Sequence, residues 1–155
     1  MSDKPIDCKI GECLKQSELF DGFDKKQLAK AVGILQPKEK TYKQGDRVYK
    51  RGDIADHCWV ILSGMLTVRR FQSLRNPFCP KLYRLGSVIG IQGVAHVGSI
   101  WPVTLISDEK SELVEIDQES IDKFDKDAQV IFWKNVSRIV HKKLAICLAR
   151  EEQWQ

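Results

Sequence analysis

Between residues 45 and 87 the chain is cut at intervals of seven to thirteen residues by turn-forming pairs: Gly45-Asp46, Gly52-Asp53, Ser63-Gly64, Asn76-Pro77 and Gly86-Ser87. The intervening runs, at residues 40–44, 47–50, 58–62, 66–71 and 82–85, are β-prone, and two more follow at 102–107 and 112–116. Short strands at such spacing predict a sandwich or barrel of antiparallel strands rather than a parallel sheet. Within the fourth run Leu66 and Val68 alternate with Thr67 and Arg69, as a strand with one face inward requires.

Helical patterning flanks this segment on both sides. Over residues 14–35, Leu19, Phe20, Phe23, Leu28, Ala31, Val32 and Leu35 recur at steps of three and four, which gathers an apolar stripe on one face. Asp24 and Gln27 have the spacing of a capping box, and Pro37 stops the helix. After the strands, Asp117 is placed to cap a short helix over residues 118–124. Asp125 or Asp127 can cap a long one from about 127 to 153. Trp133, Val136, Val140, Leu144 and Cys147 form a seam along it, continuing to Glu151 and Trp154. A helix of that length cannot bury the whole seam against a small barrel, so part of it is expected to meet a second copy of the chain or a partner protein.

The expected architecture is therefore mainly β with flanking helices: a double-stranded β-helix, or jelly-roll-like β-roll, with an N-terminal helical segment and a long C-terminal helix. With 155 residues it is read as a single domain, its core spanning about 14–126. Hydrophobic residues at 43% and charged residues at 30% are ordinary globular composition, and a net charge of +4 is too small for a nucleic-acid footprint. Neither a signal-peptide core nor an apolar run of membrane-spanning length is visible, so a cytoplasmic location without membrane contact is expected. Lys38, Lys40, Lys43, Arg47, Lys50 and Arg51 gather in the first two strands and read as a solvated face. No nucleophile elbow, phosphate-binding loop with its lysine, or His-Glu-x-x-His helix occurs, and the chain is read as non-enzymatic.

The stretch GSVIGIQGVAHVGSIWPVT, residues 86–104, holds four glycines and no Lys, Arg, Asp or Glu. Together with LFDGFDKKQLAKAV (residues 19–32) and YKQGDRVYKRGDIADHCWVILSGMLTV (residues 42–68), it resembles the cyclic-nucleotide-binding domain of the catabolite-activator and fumarate-nitrate-regulator sensor class. The likeness runs over roughly residues 14–149. It implies a regulatory domain in which a small-molecule effector under a phosphate-binding cassette alters the long helix. Gly90 to Ala95 (Gly90, Ile91, Gln92, Gly93, Val94 and Ala95) would supply the cassette backbone. Trp101, Pro102 and Val103 would form the strand wall.

In that family a Glu following the cassette glycine holds the ribose 2′-hydroxyl, and an Arg about ten residues on holds the phosphate. Laid on this sequence without a gap, those positions hold Ile91 and Trp101, and the small hydroxyl residue after the Arg becomes Pro102. Loss of both anchors should weaken a cyclic nucleotide by ~4 kcal/mol, roughly a thousandfold. The expectation is a pocket plugged by Trp101 or one that takes a different, mostly apolar or planar ligand; the alternative is the sensory half of a transcription regulator of this class that binds cyclic AMP, cyclic GMP or another effector.

No cofactor is expected. Relatives in the class carry an iron–sulfur cluster or a haem, but Cys8 and Cys13, even with Cys58, fall short of four thiolates. His57, His96 and His141, the haem-ligand candidates, stand alone in ordinary surroundings. The five cysteines, Cys79 and Cys147 included, are read mostly as free thiols. DNA-binding relatives continue into a helix-turn-helix domain; a sensory half and a stand-alone module both fit the present length.

Overall fold

The computed structural model describes residues 8–69, 81–82 and 84–152. The Asn76-Pro77 turn, Cys79, Trp154 and the end of the 66–71 run lie outside them, as does the side chain of Cys147. Among the described residues ten short strands form two four-stranded sheets and a two-stranded ribbon, every pairing antiparallel. The strands are β1 (Glu39–Tyr42), β2 (Arg47–Tyr49), β3 (Ile54–Ala55), β4 (Cys58–Ser63), β5 (Leu66–Arg69), β6 (Lys81–Leu82), β7 (Val88–Ile89), β8 (Ser99–Ile100), β9 (Thr104–Ser107) and β10 (Ser111–Ile116). One sheet runs β1-β10-β4-β7, the other β2-β9-β5-β6, with β3 and β8 paired alone. Apart from β5 and β6, which pair with each other, successive strands pass from sheet to sheet, which is the winding of the expected β-roll.

The strands β3, β7 and β8 were not read from the sequence. Each is two residues long, too short for alternation to register. The turn glycines behave as expected: Gly45, Gly52 and Gly64 have φ of 89°, 93° and 104°. Asp46 supports its turn through its side chain. Its carboxylate accepts the Lys43 N–H at 2.8 Å, closing the turn.

Strand β4 organises the interior. Its residues 58–62 are buried on both faces, as a nearly continuous apolar run demands. Cys58, Val60 and Leu62 point to the helices, whereas Trp59 and Ile61 point between the sheets. Strand β10 divides in the same way, with Val114 and Ile116 to the helices and Leu113 inward. The molecule therefore has two cores that share strands.

The helical core gathers α1 (Lys9–Gln16), the turn Glu18–Phe20, α2 (Lys25–Leu35) and α5 (Lys126–Glu152). The Asp24–Gln27 capping box forms as read, Gln27 N–H donating to Asp24 at 2.7 Å and Asp24 N–H to Gln27 at 3.0 Å. Asp117 caps α4 (Gln118–Asp122), and Asp125, not Asp127, caps α5 through the Ala128 N–H at 2.8 Å. Ala128, Phe132, Val136 and Ile139 turn one face of α5 inward, and Phe132 packs edge-on against Phe20 and Phe124 at 5.9 and 5.8 Å. No helix of the described residues is long and apolar enough to cross a membrane.

Asn135 sits in this apolar face, almost fully buried. Its amide donates to the carbonyls of Leu19 at 3.0 Å and Asp21 at 2.8 Å, capping the Glu18–Phe20 turn from α5. Asn135→Ala would leave two carbonyls unpaired in a buried site and should cost about 2 kcal/mol in chemical denaturation. Ser137→Ala, on the exposed face two residues on, should stay within about 0.5 kcal/mol of the parent.

Candidate functional site

The cassette begins where β7 ends. Gly90 has a φ of 68°, a left-handed conformation that turns the chain into the short helix α3 (Gln92–Ala95). A Cβ at residue 90 would meet the ring of Trp101 at 2.9 Å and that of Trp59 at 3.0 Å, so glycine is required twice over. Gly93 is required by proximity alone: a Cβ there would overlap the backbone carbonyl of His57, just before β4. The two glycines seat the cassette on the roll.

The amides of the cassette are engaged within its own turn. Gly93 N–H donates to Gly90 O at 2.9 Å, and Ala95 N–H to Ile91 O at 2.9 Å. Gln92 lies beside the position where the resemblance requires a Glu, but its side chain turns away. Nε2 donates to Ser99 Oγ at 2.7 Å and to Ile100 O at 2.9 Å, tying α3 to β8. Ile91 and Val94 are buried in the helical core. Ala95 and Pro102 are exposed and Val103 half-buried.

Trp101 is 4% exposed and belongs to the core between the sheets. Its backbone carries the β3–β8 ribbon onward, the N–H donating to Asp53 O at 2.9 Å while the carbonyl accepts from Gly52 N–H at 3.0 Å. Its ring stacks on Tyr49 with centroids 4.0 Å apart and planes 12° apart. Trp59 closes the group, 5.7 Å from Tyr49 and 5.8 Å from Trp101. Burial pushes the Tyr49 phenol up to about 12. Tyr49 and Trp59 were not singled out in the sequence. Their alternation carried the signal: Trp59 shares a strand face with Ile61, which lies between the sheets.

On the flank of the cassette a charged cluster joins it to the helices. His57 Nε2 lies 3.0 Å from Glu115 Oε1 and 3.9 Å from Asp117, and Nδ1 contacts Asp56. Lys40 meets Glu115 at 2.8 Å and Lys38 meets Asp117 at 3.7 Å. Burial opposes ionisation of Asp117, but the Ser120 N–H and hydroxyl, with Lys38 and His57, hold its carboxyl below the usual range. Two lysines of the basic hairpin are thus paired, while Lys43, Arg47, Lys50 and Arg51 are exposed.

The described cysteines are free thiols in separate settings. Cys8 accepts the Gly11 N–H at the start of α1, and Cys13 donates to Ile61 O at 3.2 Å. Burial pushes Cys13 up to about 12 and Cys58 higher still, which disfavours the thiolate that a metal or cluster needs. Among the described residues no three His, Cys, Asp or Glu side chains converge as a metal site. His96 and His141 are exposed.

Of the seam on α5, Val136 faces its own domain, Trp133 is half-buried, and Val140 and Leu144 are 39% and 55% exposed. Ile139 ends the buried face. From Val140 on, the described side chains of α5 are exposed, Ile146 and Leu148 among them.

The chain is thus a β-roll of two antiparallel sheets with a glycine-seated cassette and a long helix packed on it. Residues 39–127, more than half of the sequence, match the family model of the cyclic nucleotide-binding domain, and the chain belongs to that family. No curated protein matches it. The fold is similar to the Thermus thermophilus Catabolite Activator Protein, with a TM-score of 0.76 and 17% identity, covering 89% of this chain and 63% of that one. It is also similar to the N-terminal domain of a transcriptional regulator from Streptomyces coelicolor A3(2), at 0.70 and 19%, covering 86% and 93%. A third likeness is to cAMP-bound PfPKA-R, at 0.64 and 24%, covering 82% and 44%. The chain thus spans less than two thirds of the Thermus thermophilus protein. These neighbours share the fold of the family to which the chain belongs.

Two predictions follow from the seating of the cassette and the ring stack. Gly93→Ala should lower stability by about 1–3 kcal/mol, whereas Gly33→Ala, in a helix with nothing near its Cβ, should raise it by about 0.5–1 kcal/mol; thermal unfolding of the two variants checks both. Tyr49 is raised above its ordinary 10.0, so its contribution is complete below that pH and is lost as pH climbs through 10 toward 12. Denaturation midpoints measured over that range should fall less steeply for Tyr49→Phe than for the parent.

Proposed function

We propose that the chain is a non-enzymatic effector-sensing domain whose nucleotide pocket is filled by its own side chains, and whose output element is α5. The observation that carries this reading is Trp101, buried and stacked at 4.0 Å on Tyr49. At that position the family uses an arginine to neutralise a phosphate. A nucleotide entering beneath Gly90 would have to break the stack and desolvate its charge with no cation to meet it. Ile91 and the inward-bonded cassette amides support the same conclusion. Ordinary binding of cyclic AMP or cyclic GMP is not expected, whatever the cAMP-bound neighbour holds.

The residues assigned to the pocket divide accordingly. Gly90 and Gly93 set the backbone, Gln92 fastens α3 to β8, and Trp101 is the plug. Residues 14–126 act as one sensory core, with α5 as the relay. The exposed seam of Val140 and Leu144 favours pairing of α5 with a second copy or a partner helix. Sensory halves of transcription regulators have such a helix leading to an output domain, and the Thermus thermophilus neighbour, longer than this chain, fits that use.

Calorimetry with cyclic AMP and cyclic GMP tests the plug: no saturable heat is expected at micromolar nucleotide, and micromolar affinity would overturn it. Trp101→Arg combined with Ile91→Glu, once circular dichroism shows the variant folded, should raise nucleotide affinity by an order of magnitude or more. For the relay, sedimentation should find a dimer that Val140→Glu with Leu144→Glu converts to a monomer. A monomeric parent would contradict the pairing.

A further inference from the structure

We propose that the exposed face of the first turns of α5 is a docking site for an acidic amphipathic helix of a partner protein. Lys126, Gln129, Val130, Trp133, Lys134 and Ser137 wall a shallow depression there. Steps of three and four put these side chains on one side of the helix. Val130 is 55% exposed, and Trp133 is half-buried, packed edge-on against Phe132 at 5.5 Å. A large ring anchored below and open above is the kind of residue that carries binding energy at an interface.

The charge of this face selects the partner. Lys126 and Lys134 frame Val130, four residues before it and four after. Both are exposed, and among the described residues no carboxylate pairs with either. No Asp or Glu lines the depression, and none occurs in α5 between residues 128 and 150. Asp127, next to Lys126 in sequence, lies outside the lining. Lys126 opens α5, where the helix dipole disfavours a cation, so helix stability does not account for it. Two uncompensated cations around an apolar strip complement a helix that carries carboxylates around its own.

A second copy of the chain is the poorer occupant. Any twofold pairing centred on this face would bring Lys126 and Lys134 of one copy against the same lysines of the other, with no acid between them. The two lysines are eight residues apart, ~12 Å along the axis. A partner helix with carboxylates about two turns apart and leucines or aromatics between them meets both cations and covers Val130 and Trp133 together. The face lies before the Val140 and Leu144 seam, so the inference depends neither on how that seam is paired nor on what fills the roll.

A fluorescein-labelled synthetic helix of about 16 residues, with glutamates about two turns apart around a leucine stripe, tests the proposal by anisotropy with the full chain. Saturable binding is expected, at least about tenfold tighter than for the same peptide with glutamine in place of glutamate or with its leucines scrambled. Lys126→Gln with Lys134→Gln, and separately Val130→Glu, are surface changes that should each weaken it by about tenfold or more. Affinity at least equal to the parent's is expected in Val140→Gln with Leu144→Gln, which separates this site from α5 pairing. The site is overturned by no saturable binding up to about 1 mM peptide, by equal affinity for either control peptide, or by equal affinity in the lysine or Val130 variant. Loss of binding in the Val140 and Leu144 variant would place the peptide on the seam, and Val130→Glu turning a dimer into a monomer would give the face to a second copy; either refutes the proposal. Lysine-dependent binding to phosphatidylserine vesicles in place of the peptide would assign the face to a lipid surface and refute it as well.

Discussion

A strand with no polar face must have apolar matter on both sides, and strand β4 imposes that condition on the whole molecule. Its alternate residues feed two cores, Cys58 and Val60 toward the helices and Trp59 and Ile61 between the sheets. Because Trp59 points inward beneath Gly90, the space under the cassette is apolar from the outset. Tyr49 and Trp101 then complete a three-ring group there. Aromatic stacking of this kind adds about 0.5–1.5 kcal/mol per pair beyond the burial itself. A charged ligand would have to displace that group and accept a drier, less polar site in return.

The cassette packs directly on α5, Ile91 and Val94 sharing the helical core with Phe132 and Val136, and shared strands join the two as well. Gly93 rests on the His57 backbone, and the His57 ring reaches Glu115 and Asp117, the cap of α4. From α4 the chain enters α5, which Asn135 fastens to the Glu18–Phe20 turn.

Much of this was legible in the sequence, for reasons that can be named. Turn glycines with positive φ, the Asp24–Gln27 box and the caps at Asp117 and Asp125 are local chemistry, so the roll and its flanking helices could be read from residue order. Trp101 was legible as a departure from the family's arginine but not as part of a stack, because Tyr49 and Trp59 come from strands distant in sequence. Asn135 was invisible for a related reason: a polar residue in an apolar helix face reads as an interruption until its two carbonyl partners, more than a hundred residues away, are in view. The seam on α5 was read as one stripe. In the structure Val136 is buried while Val140 and Leu144 are exposed, because α5 packs on its own domain only as far as Ile139 and every described side chain beyond it is exposed.

The central claim concerns what fills the space beneath Gly90. A crystal structure of the chain grown with excess cyclic AMP examines that space directly. The account predicts Trp101 still stacked on Tyr49 and no nucleotide against Gly90. A nucleotide seated there, with the Trp101 ring swung out of the roll, would contradict it.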